Sequence, residues 1–242
     1  MPFERAEPAR AAMLELFPDG FEEVERDDGV ELAAYTDAAG EERLWQVFGG
    51  ASGVDVETGW EERWRRFHRP VRVGRLWVGP PWETPEAGTV AVVVDPGRAF
   101  GTGAHATTRL CLELLQELEA SPLLDVGCGS GVLSVAGALL GFAPVLAVDT
   151  EQAAVAATLE NAARNGVRVD VQIVEPDAPL PALHTVVANI SEQAVRALPR
   201  RVDAEVLVTS GYLGATELEL DGYAHTSRRV RDGWAADVHR RR

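Results

Sequence analysis

The chain has 242 residues, enough for one large domain or for one domain with a smaller companion. Its 46% hydrophobic and 25% charged residues are ordinary for a globular protein and exclude a mostly disordered chain. The net charge of −15 disfavours direct binding to nucleic acid, which usually needs a basic face, and favours a cationic partner.

Residues 1–56 carry the weakest hydrophobic pattern and predict a small α+β domain. Helices are predicted at 7–17 and 41–48, and a strand is predicted at 29–35, where side chains alternate after a glycine turn. The glycine-rich stretch 49–53 then marks the expected domain boundary.

Residues 57–72 predict a linker helix with one aromatic face. Trp60, Trp64 and Phe67 follow one another at helical spacing, which predicts a buried or domain-docking face rather than a ligand cage. Arginines crowd this helix and the residues after it up to position 75. We interpret them as a solvated helix face rather than as an RNA contact.

Strands and helices alternate over residues 73–242, which predicts a doubly wound α/β domain. The strand at 183–188 lacks alternation, so we expect it to be buried on both faces. Asp232-Gly233 is a hairpin signal, so the parallel sheet is expected to have an antiparallel end. The other strands are predicted at 76–78, 90–94, 123–126, 145–148, 169–174 and 206–209, and the helices at 132–140, 152–164 and 191–200.

A glycine-rich loop, Asp-Val-Gly-Cys-Gly-Ser-Gly at 125–131, joins the strand at 123–126 to its helix. Gly127, Gly129 and Gly131 allow the backbone to turn tightly and to approach a ligand closely. The dinucleotide fingerprint G-x-G-x-x-G would need glycine at position 132, where this chain has valine. The loop therefore indicates a nucleoside ligand other than a dinucleotide.

Two acids flank this loop and indicate the charge of its ligand. Asp125 would repel the pyrophosphate of NAD, whereas it would attract a cation. S-adenosylmethionine carries an ammonium and a sulfonium against one carboxylate, so its charge suits this acid. Asp149 ends the next strand and can accept both hydrogen bonds from a ribose. We therefore expect both acids to bind this cofactor; the alternative is that they cap helices.

Residues 95–108, Asp-Pro-Gly-Arg-Ala-Phe-Gly-Thr-Gly-Ala-His-Ala-Thr-Thr, form a far more specific motif. Together with the loop at 125–131 and Val187-Ala188-Asn189-Ile190, this motif resembles the bacterial ribosomal protein L11 methyltransferases, the PrmA family. The resemblance covers about residues 56–240 well and the first 55 loosely. Further segments similar to the family are 60–70, 80–82, 210–213 and 233–234.

The resemblance implies a Rossmann-like class I methyltransferase domain at 73–242, with a mostly parallel sheet and an antiparallel C-terminal hairpin. It implies that the α+β domain at 1–56 docks a protein substrate. The implied reaction moves methyl groups from S-adenosylmethionine to lysine side chains or the N-terminal amine of a large-subunit ribosomal protein that is free of the ribosome. The alternatives are a related methyltransferase for another protein lysine or a small-molecule amine, and a non-catalytic module with the same fold.

The resemblance also assigns roles to individual residues. By motif position it gives cofactor contacts to Thr108, Gly127, Asp149 and Asn189, and it places Phe100, Gly101, Thr102 and His105 in a signature loop beside the reaction centre. The residue chemistry adds Asp125, Gly129 and Gly131 to the cofactor site, and it indicates no metal site.

Two residues are candidates for a catalytic role. Asn189 has an amide oxygen that could accept a hydrogen from the substrate amine; otherwise it is a turn residue at the end of a strand. His105 is either a proton acceptor, because histidine titrates nearest neutral pH, or a support for the glycine loop. Thr107 and Thr108 are expected to cap the helix that follows.

Three features of the sequence predict the cellular location of the protein. No apolar run approaches the roughly 18 residues of a membrane span. Residues 1–7 lack an apolar signal core, and the 2 cysteines are too few for a disulfide or zinc framework. We therefore expect a cytoplasmic protein with no membrane partner.

Overall fold

The computed structural model describes residues 8–9, 12–13, 16–17, 21–26, 29–34, 36, 38–51, 69–95 and 103–242. The chain falls into two compact units, Met1–Arg63 and Trp64–Arg242. Positions 57–68 of the predicted linker helix lie outside the described residues. Residues 71 and 72, assigned to the linker from the sequence, lie in a strand.

The N-terminal unit combines helices with an antiparallel strand pair. Strand β1 (Glu22–Arg26) pairs with β2 (Gly29–Ala33), and helix α1 (Ala38–Phe48) follows. The helix predicted at 7–17 is confirmed at positions 8–9, 12–13 and 16, whereas Phe17 lies outside it. Strand β1 was not predicted, because its sequence Glu-Glu-Val-Glu-Arg has no apolar alternation and it forms through its pairing with β2.

The C-terminal unit holds a seven-stranded sheet and a three-stranded sheet. The larger one is ordered β11-β12-β10-β9-β6-β7-β8, and the smaller one β3-β4-β5. The strands are β3 (Val71–Val73), β4 (Leu76–Gly79), β5 (Val90–Val93), β6 (Leu123–Val126), β7 (Val145–Asp149), β8 (Asp170–Ile173), β9 (Thr185–Asn189), β10 (Val206–Leu213), β11 (Tyr223–Arg231) and β12 (Trp234–Arg241). The helices are α2 (Ala106–Leu115), α3 (Val132–Leu139), α4 (Gln152–Arg164) and α5 (Glu192–Ala197).

The direction of the strands confirms the predicted fold class. Strands β6 to β10 of the larger sheet run parallel, whereas β12 is antiparallel to both β10 and β11. Strand β6 lies between β7 and β9, so the strand order reverses there. In an open α/β sheet, such a switch point leaves a crevice at the carboxyl ends of the strands, where ligands bind.

Two apolar clusters cover the two faces of the sheet. One contains buried side chains of α2 and α3 together with β4 and β5. The other contains Val195 of α5, Leu198 and apolar residues from the segment 202–223. Helices on both faces explain why the buried strand β9 shows no alternation.

The ends of several elements differ from the predictions, and two of them have a clear local cause. Helix α5 is shorter than the predicted 191–200 because Pro199 lacks an amide hydrogen, and a 3₁₀ turn covers 198–200. Strand β10 continues four residues beyond the predicted end at 209, through a bulge between Ser210 and Tyr212. Gly211 makes this bulge with φ of 104°, and a Cβ there would lie 1.8 Å from the carbonyl oxygen of Ile190. No helix among the described residues is long and apolar enough to cross a bilayer.

Candidate active site

The glycine loop follows β6 at the switch point and is held by the neighbouring strand. The amides of Gly127 and Cys128 donate to the carbonyl oxygen of Val148 at 2.9 and 3.1 Å. Gly127 has φ of 73°, and a Cβ there would lie 2.4 Å from Cγ2 of Ile190. Gly131 has φ of 79°, and a Cβ there would lie 2.8 Å from the side chain of Thr158. Both positions therefore require glycine for conformation and for space.

Asp149 is the last residue of β7, and its carboxylate contacts the glycine loop. Its Oδ2 accepts a hydrogen bond from the amide of Gly129 at 2.9 Å, and its Oδ1 accepts one from the amide of Glu151 at 3.1 Å. Each carboxylate oxygen has two lone pairs, so each can accept a further hydrogen bond from a ligand hydroxyl. The side chain is thus held in a position that suits a ribose diol.

Asp125 is buried beneath the loop, with only 1% of its surface exposed. Its Oδ2 accepts a hydrogen bond from the Ser134 hydroxyl at 2.6 Å, whereas its Oδ1 has no partner. Burial, together with a smaller contribution from the nearby charge of Asp149, outweighs the hydrogen bonds from Ser134 and raises the pKa of this carboxyl to about 7. When ionised, this carboxylate would attract a cationic ligand in the crevice through its charge.

Replacing Asp125 with asparagine is expected to stabilise the ligand-free protein at pH 8 by about 1–3 kcal/mol, because a buried negative charge is removed. The raised pKa means that the wild type loses stability as pH rises from about 4 to 7, so the difference in melting temperature should grow over that range. The same variant should bind a cationic nucleoside about tenfold less tightly. Thermal melts at several pH values and calorimetry measure both effects; unchanged affinity would exclude Asp125 from the site.

Asn189 ends β9 and is oriented by a hydroxyl from α2. Its Nδ2 donates to Oγ1 of Thr108 at 3.2 Å, although 81 residues separate the two in sequence. Thr108 is only 1% exposed, and Asn189 is partly exposed. The amide nitrogen is therefore used internally, and the oxygen is the end left for a ligand.

His105 is the N-cap of α2, so the prediction that Thr107 and Thr108 cap this helix is wrong. Its Nδ1 lies 2.8 Å from the Thr107 hydroxyl and accepts a long hydrogen bond from the Thr107 amide at 3.4 Å. Its backbone is extended, as a cap requires, whereas both threonines lie inside the helix. The ring also packs edge-on against Trp234, with centroids 5.1 Å apart.

Three predicted site residues, Phe100, Gly101 and Thr102, lie outside the described residues and stay predictions. Gly103, the next residue along the chain, has φ of 86°, and a Cβ there would lie 2.5 Å from Cγ1 of Val78. The other predicted residues lie at or just after the carboxyl ends of β6, β7 and β9, in α2 or at its N-cap. The Asn189–Thr108 and Asp149–Gly129 contacts join four of them in pairs.

The comparison with known proteins decides which family these features belong to. The family model described as ribosomal protein L11 methyltransferase (PrmA) matches residues 30–236 of this chain. The chain belongs to this family. Its glycine loop, Asp149, Asn189 and His105 all lie within the matched range.

Individual relatives agree with the family match. The L11 methyltransferase of Symbiobacterium thermophilum is 40% identical over 197 residues, covering 74% of this chain and 65% of the relative. That of Methylococcus capsulatus is 39% identical over 231 residues, covering 86% of this chain and 77% of the relative. The chain thus spans about two thirds to three quarters of the length of these relatives.

A solved structure supports the fold of the PrmA family in this chain. The ribosomal protein L11 methylase from Lactobacillus delbrueckii subsp. bulgaricus matches with a TM-score of 0.62 and 24% identity. The match covers 72% of this chain and all of that one.

Sequence reasoning missed two residues that support the glycine loop. Thr158 and Asn161 of α4 donate to the carbonyl oxygens of Gly129 at 3.1 Å and Ser130 at 2.9 Å. Both side chains are almost fully buried. Their signal in the sequence is a pair of polar residues three positions apart on the otherwise apolar inner face of a helix.

Both cysteines are buried, free thiols. Burial raises the pKa of Cys128 to about 12, and it raises that of Cys111 as well, so both thiols stay protonated. Among the described residues, no group of histidine, cysteine, aspartate and glutamate is arranged to hold a metal ion.

Proposed function

We propose that this chain transfers methyl groups from S-adenosylmethionine to amino groups of ribosomal protein L11. The observation that carries the proposal is the arrangement at the switch point, where the glycine loop, Asp149 and the oriented amide of Asn189 lie at the carboxyl ends of three neighbouring strands. The family match indicates the substrate class, because the relatives are named as methyltransferases of ribosomal protein L11.

The residues at the crevice fit S-adenosylmethionine. Asp149 would accept hydrogen bonds from the ribose hydroxyls. The glycines of the loop allow the cofactor to approach the backbone closely. The negative charge of Asp125, buried beneath the loop, would attract the ammonium. A pyrophosphate is disfavoured beside two carboxylates. The cofactor, when bound, supplies a methyl group already activated by a positively charged sulfur.

The protein's main task is then to present a neutral amine in line with that methyl group. Lysine has an ordinary pKa of about 10.4, so the site must favour the uncharged form by excluding water. Oδ1 of Asn189 can accept one amine hydrogen and aim the nitrogen lone pair, because Thr108 fixes the amide through Nδ2. The amine proton passes to solvent before the transfer.

The hydrogen bonds of His105 favour a supporting role over proton transfer. Its Nδ1 is already used to cap α2, the helix that carries Thr108. Asparagine is also a strong N-cap, so His105→Asn should keep the rate within about threefold, whereas His105→Ala should lose about tenfold. Steady-state rates from pH 6 to 9 check this. If both variants were equally slow and the pH profile flattened, His105 would be the proton acceptor.

The N-terminal unit has the charge expected of a surface that docks a basic protein. Residues 1–63 contain 17 acids and 5 arginines, so this quarter of the chain carries −12 of the net −15. Helix α1 exposes Glu41 and Glu42 together with Trp45, which is 52% exposed, and Val47, which is 51% exposed. We propose that this unit binds L11 through opposite charge and apolar contact.

The test is methyl transfer to free L11. The purified chain is incubated with labelled S-adenosylmethionine and either free L11 or whole ribosomes, and modified positions are located by mass spectrometry. We expect labelled lysine or N-terminal amine in free L11 and less in ribosomes. Labelling of a different protein from a ribosome-depleted lysate, or of a small amine alone, would support the alternative methyltransferase. Binding without any transfer would support a non-catalytic module.

A further inference from the structure

Helix α4 and its C-cap present three polar side chains to the surrounding backbone, one per turn. They are Thr158, Asn161 and Asn165, and the first two are at most 1% exposed. The Thr158 hydroxyl donates to Gly129 at 3.1 Å, so it touches only the glycine loop and its cysteine. The two asparagines reach further and contact β5 and the residues after it.

Asn161 joins two segments that are distant in sequence. Its Nδ2 donates to the carbonyl oxygen of Ser130 in the glycine loop at 2.9 Å. Its Oδ1 accepts from the amide of Asp95 at 3.0 Å. Asp95 is the first residue of the family motif at 95–108, which leads to His105 and Thr108. One buried amide therefore connects the cofactor loop with the start of the segment that carries the amine-side residues.

Asn165 lies one turn further along and provides a matched comparison. Its Oδ1 accepts from the amide of Val93 at 2.8 Å, and its Nδ2 donates to the carbonyl oxygen of the same residue at 2.7 Å. It holds β5 against α4, whereas Asn161 holds Asp95, two residues after this strand, and only Asn161 hydrogen-bonds the glycine loop. A difference between the two positions thus reports the link that Asn161 makes between Ser130 and Asp95.

We propose that Asn161 is a positioning residue that sets the glycine loop in register with the segment starting at Asp95, so that cofactor affinity depends on it and not on Asn165. This inference rests on the proposed function. Without Asn161, the Ser130 carbonyl and the Asp95 amide both lose this hydrogen bond, and the contact that joins the two segments is gone.

The test compares Asn161→Ala with Asn165→Ala. Calorimetry with S-adenosylhomocysteine, the demethylated product, should show about a tenfold higher Kd for Asn161→Ala. Asn165→Ala should stay within twofold of the wild type, although both variants should melt at a lower temperature. The kcat of methyl transfer should also fall for Asn161→Ala, because this variant loses the hydrogen bond from the Asp95 amide to Oδ1 of Asn161.

Asn161→Asp gives a readout that a general loss of packing would not change. This carboxylate can still accept from the Asp95 amide, but its second oxygen would face the Ser130 carbonyl. Only the protonated acid can donate to that carbonyl. We expect the ratio of the Kd of Asn161→Asp to the wild-type Kd at the same pH to be much higher at pH 8 than at pH 5.5. The same ratio for Asn161→Ala should not vary with pH.

The outcomes separate this inference from the proposed function. Equal Kd increases for the two alanine variants, or an unchanged Kd for Asn161→Ala, would overturn the positioning role alone. A pH-independent ratio for Asn161→Asp would do the same, even if the alanine variant proved too unstable to measure. A wild type that bound no S-adenosylhomocysteine would overturn the proposed function, and this inference with it.

Discussion

Replacing Asp149 with alanine is expected to weaken S-adenosylmethionine binding by about 3 kcal/mol, roughly a hundredfold in Kd. The carboxylate would accept hydrogen bonds from both ribose hydroxyls, and hydrogen bonds to a charged acceptor are stronger than those between neutral groups. It also accepts from the amides of Gly129 and Glu151, so its removal frees the centre of the glycine loop. Calorimetry with the cofactor measures the change.

Two further variants control for charge and for loop shape. Asp149→Asn keeps an oxygen for the Gly129 amide and should fall between the wild type and the alanine variant. Asp170→Asn removes the same charge from the exposed side chain at the start of the next strand, β8, and should leave Kd unchanged. A Kd for Asp149→Ala within threefold of the wild type would exclude this acid from the cofactor site.

Replacing Asp237 with alanine is expected to cost about 3 kcal/mol of unfolding free energy, or about 6–12 °C in melting temperature. Asp237 is fully buried in β12 and accepts hydrogen bonds from Tyr212 at 2.8 Å and His225 at 2.9 Å. Arg228 donates to both carboxylate oxygens at 2.8 Å. The alanine variant leaves this guanidinium, whose side chain is 28% exposed, without its counter-ion.

The pH dependence of this effect has a definite sign. Burial alone would raise the pKa of Asp237, but the hydrogen bonds from Arg228, Tyr212 and His225 outweigh it and lower the pKa. A lowered pKa means that the stabilisation is complete above the unfolded value of about 3.9 and is lost as pH falls through the folded value. The difference between wild type and variant should therefore shrink in strong acid.

An exposed ion pair provides the comparison for Asp237. Asp203, with 74% of its side chain exposed, pairs with Arg241. Asp203→Ala should cost less than about 1 kcal/mol, because solvent screens this pair. Chemical denaturation of the three proteins measures the free energies. If the two alanine variants lost equal stability, the buried network would contribute no more than a surface pair.

Local signals in the sequence predicted several elements correctly. Helix α4 spans Gln152–Arg164 as predicted, because its periodicity is regular and Gly166, with φ of 64°, follows as a stop. The turn at Asp232-Gly233 also lies where predicted, and both residues have positive φ. In each case, neighbouring residues alone decide the conformation.

Elements that depend on distant partners were harder to predict. Strand β3 was missed because three residues give no measurable alternation, and it forms by pairing with β4. The end of β10 was missed because Ser210-Gly211 reads as a turn, whereas pairing with β12 carries the strand through a bulge. Pairing energy across the sheet is not encoded in a local window.

The sequence by itself determined the family motif, the glycine loop and the acids that flank it, because these lie in short contiguous segments whose chemistry is local. Only the tertiary structure decided that Asp125 is buried with a raised pKa, that Thr108 orients Asn189, and that Asn161 joins Ser130 to Asp95. The physical reason is that burial and hydrogen bonding depend on which distant segments pack together, and the order of strands around β6 sets that packing.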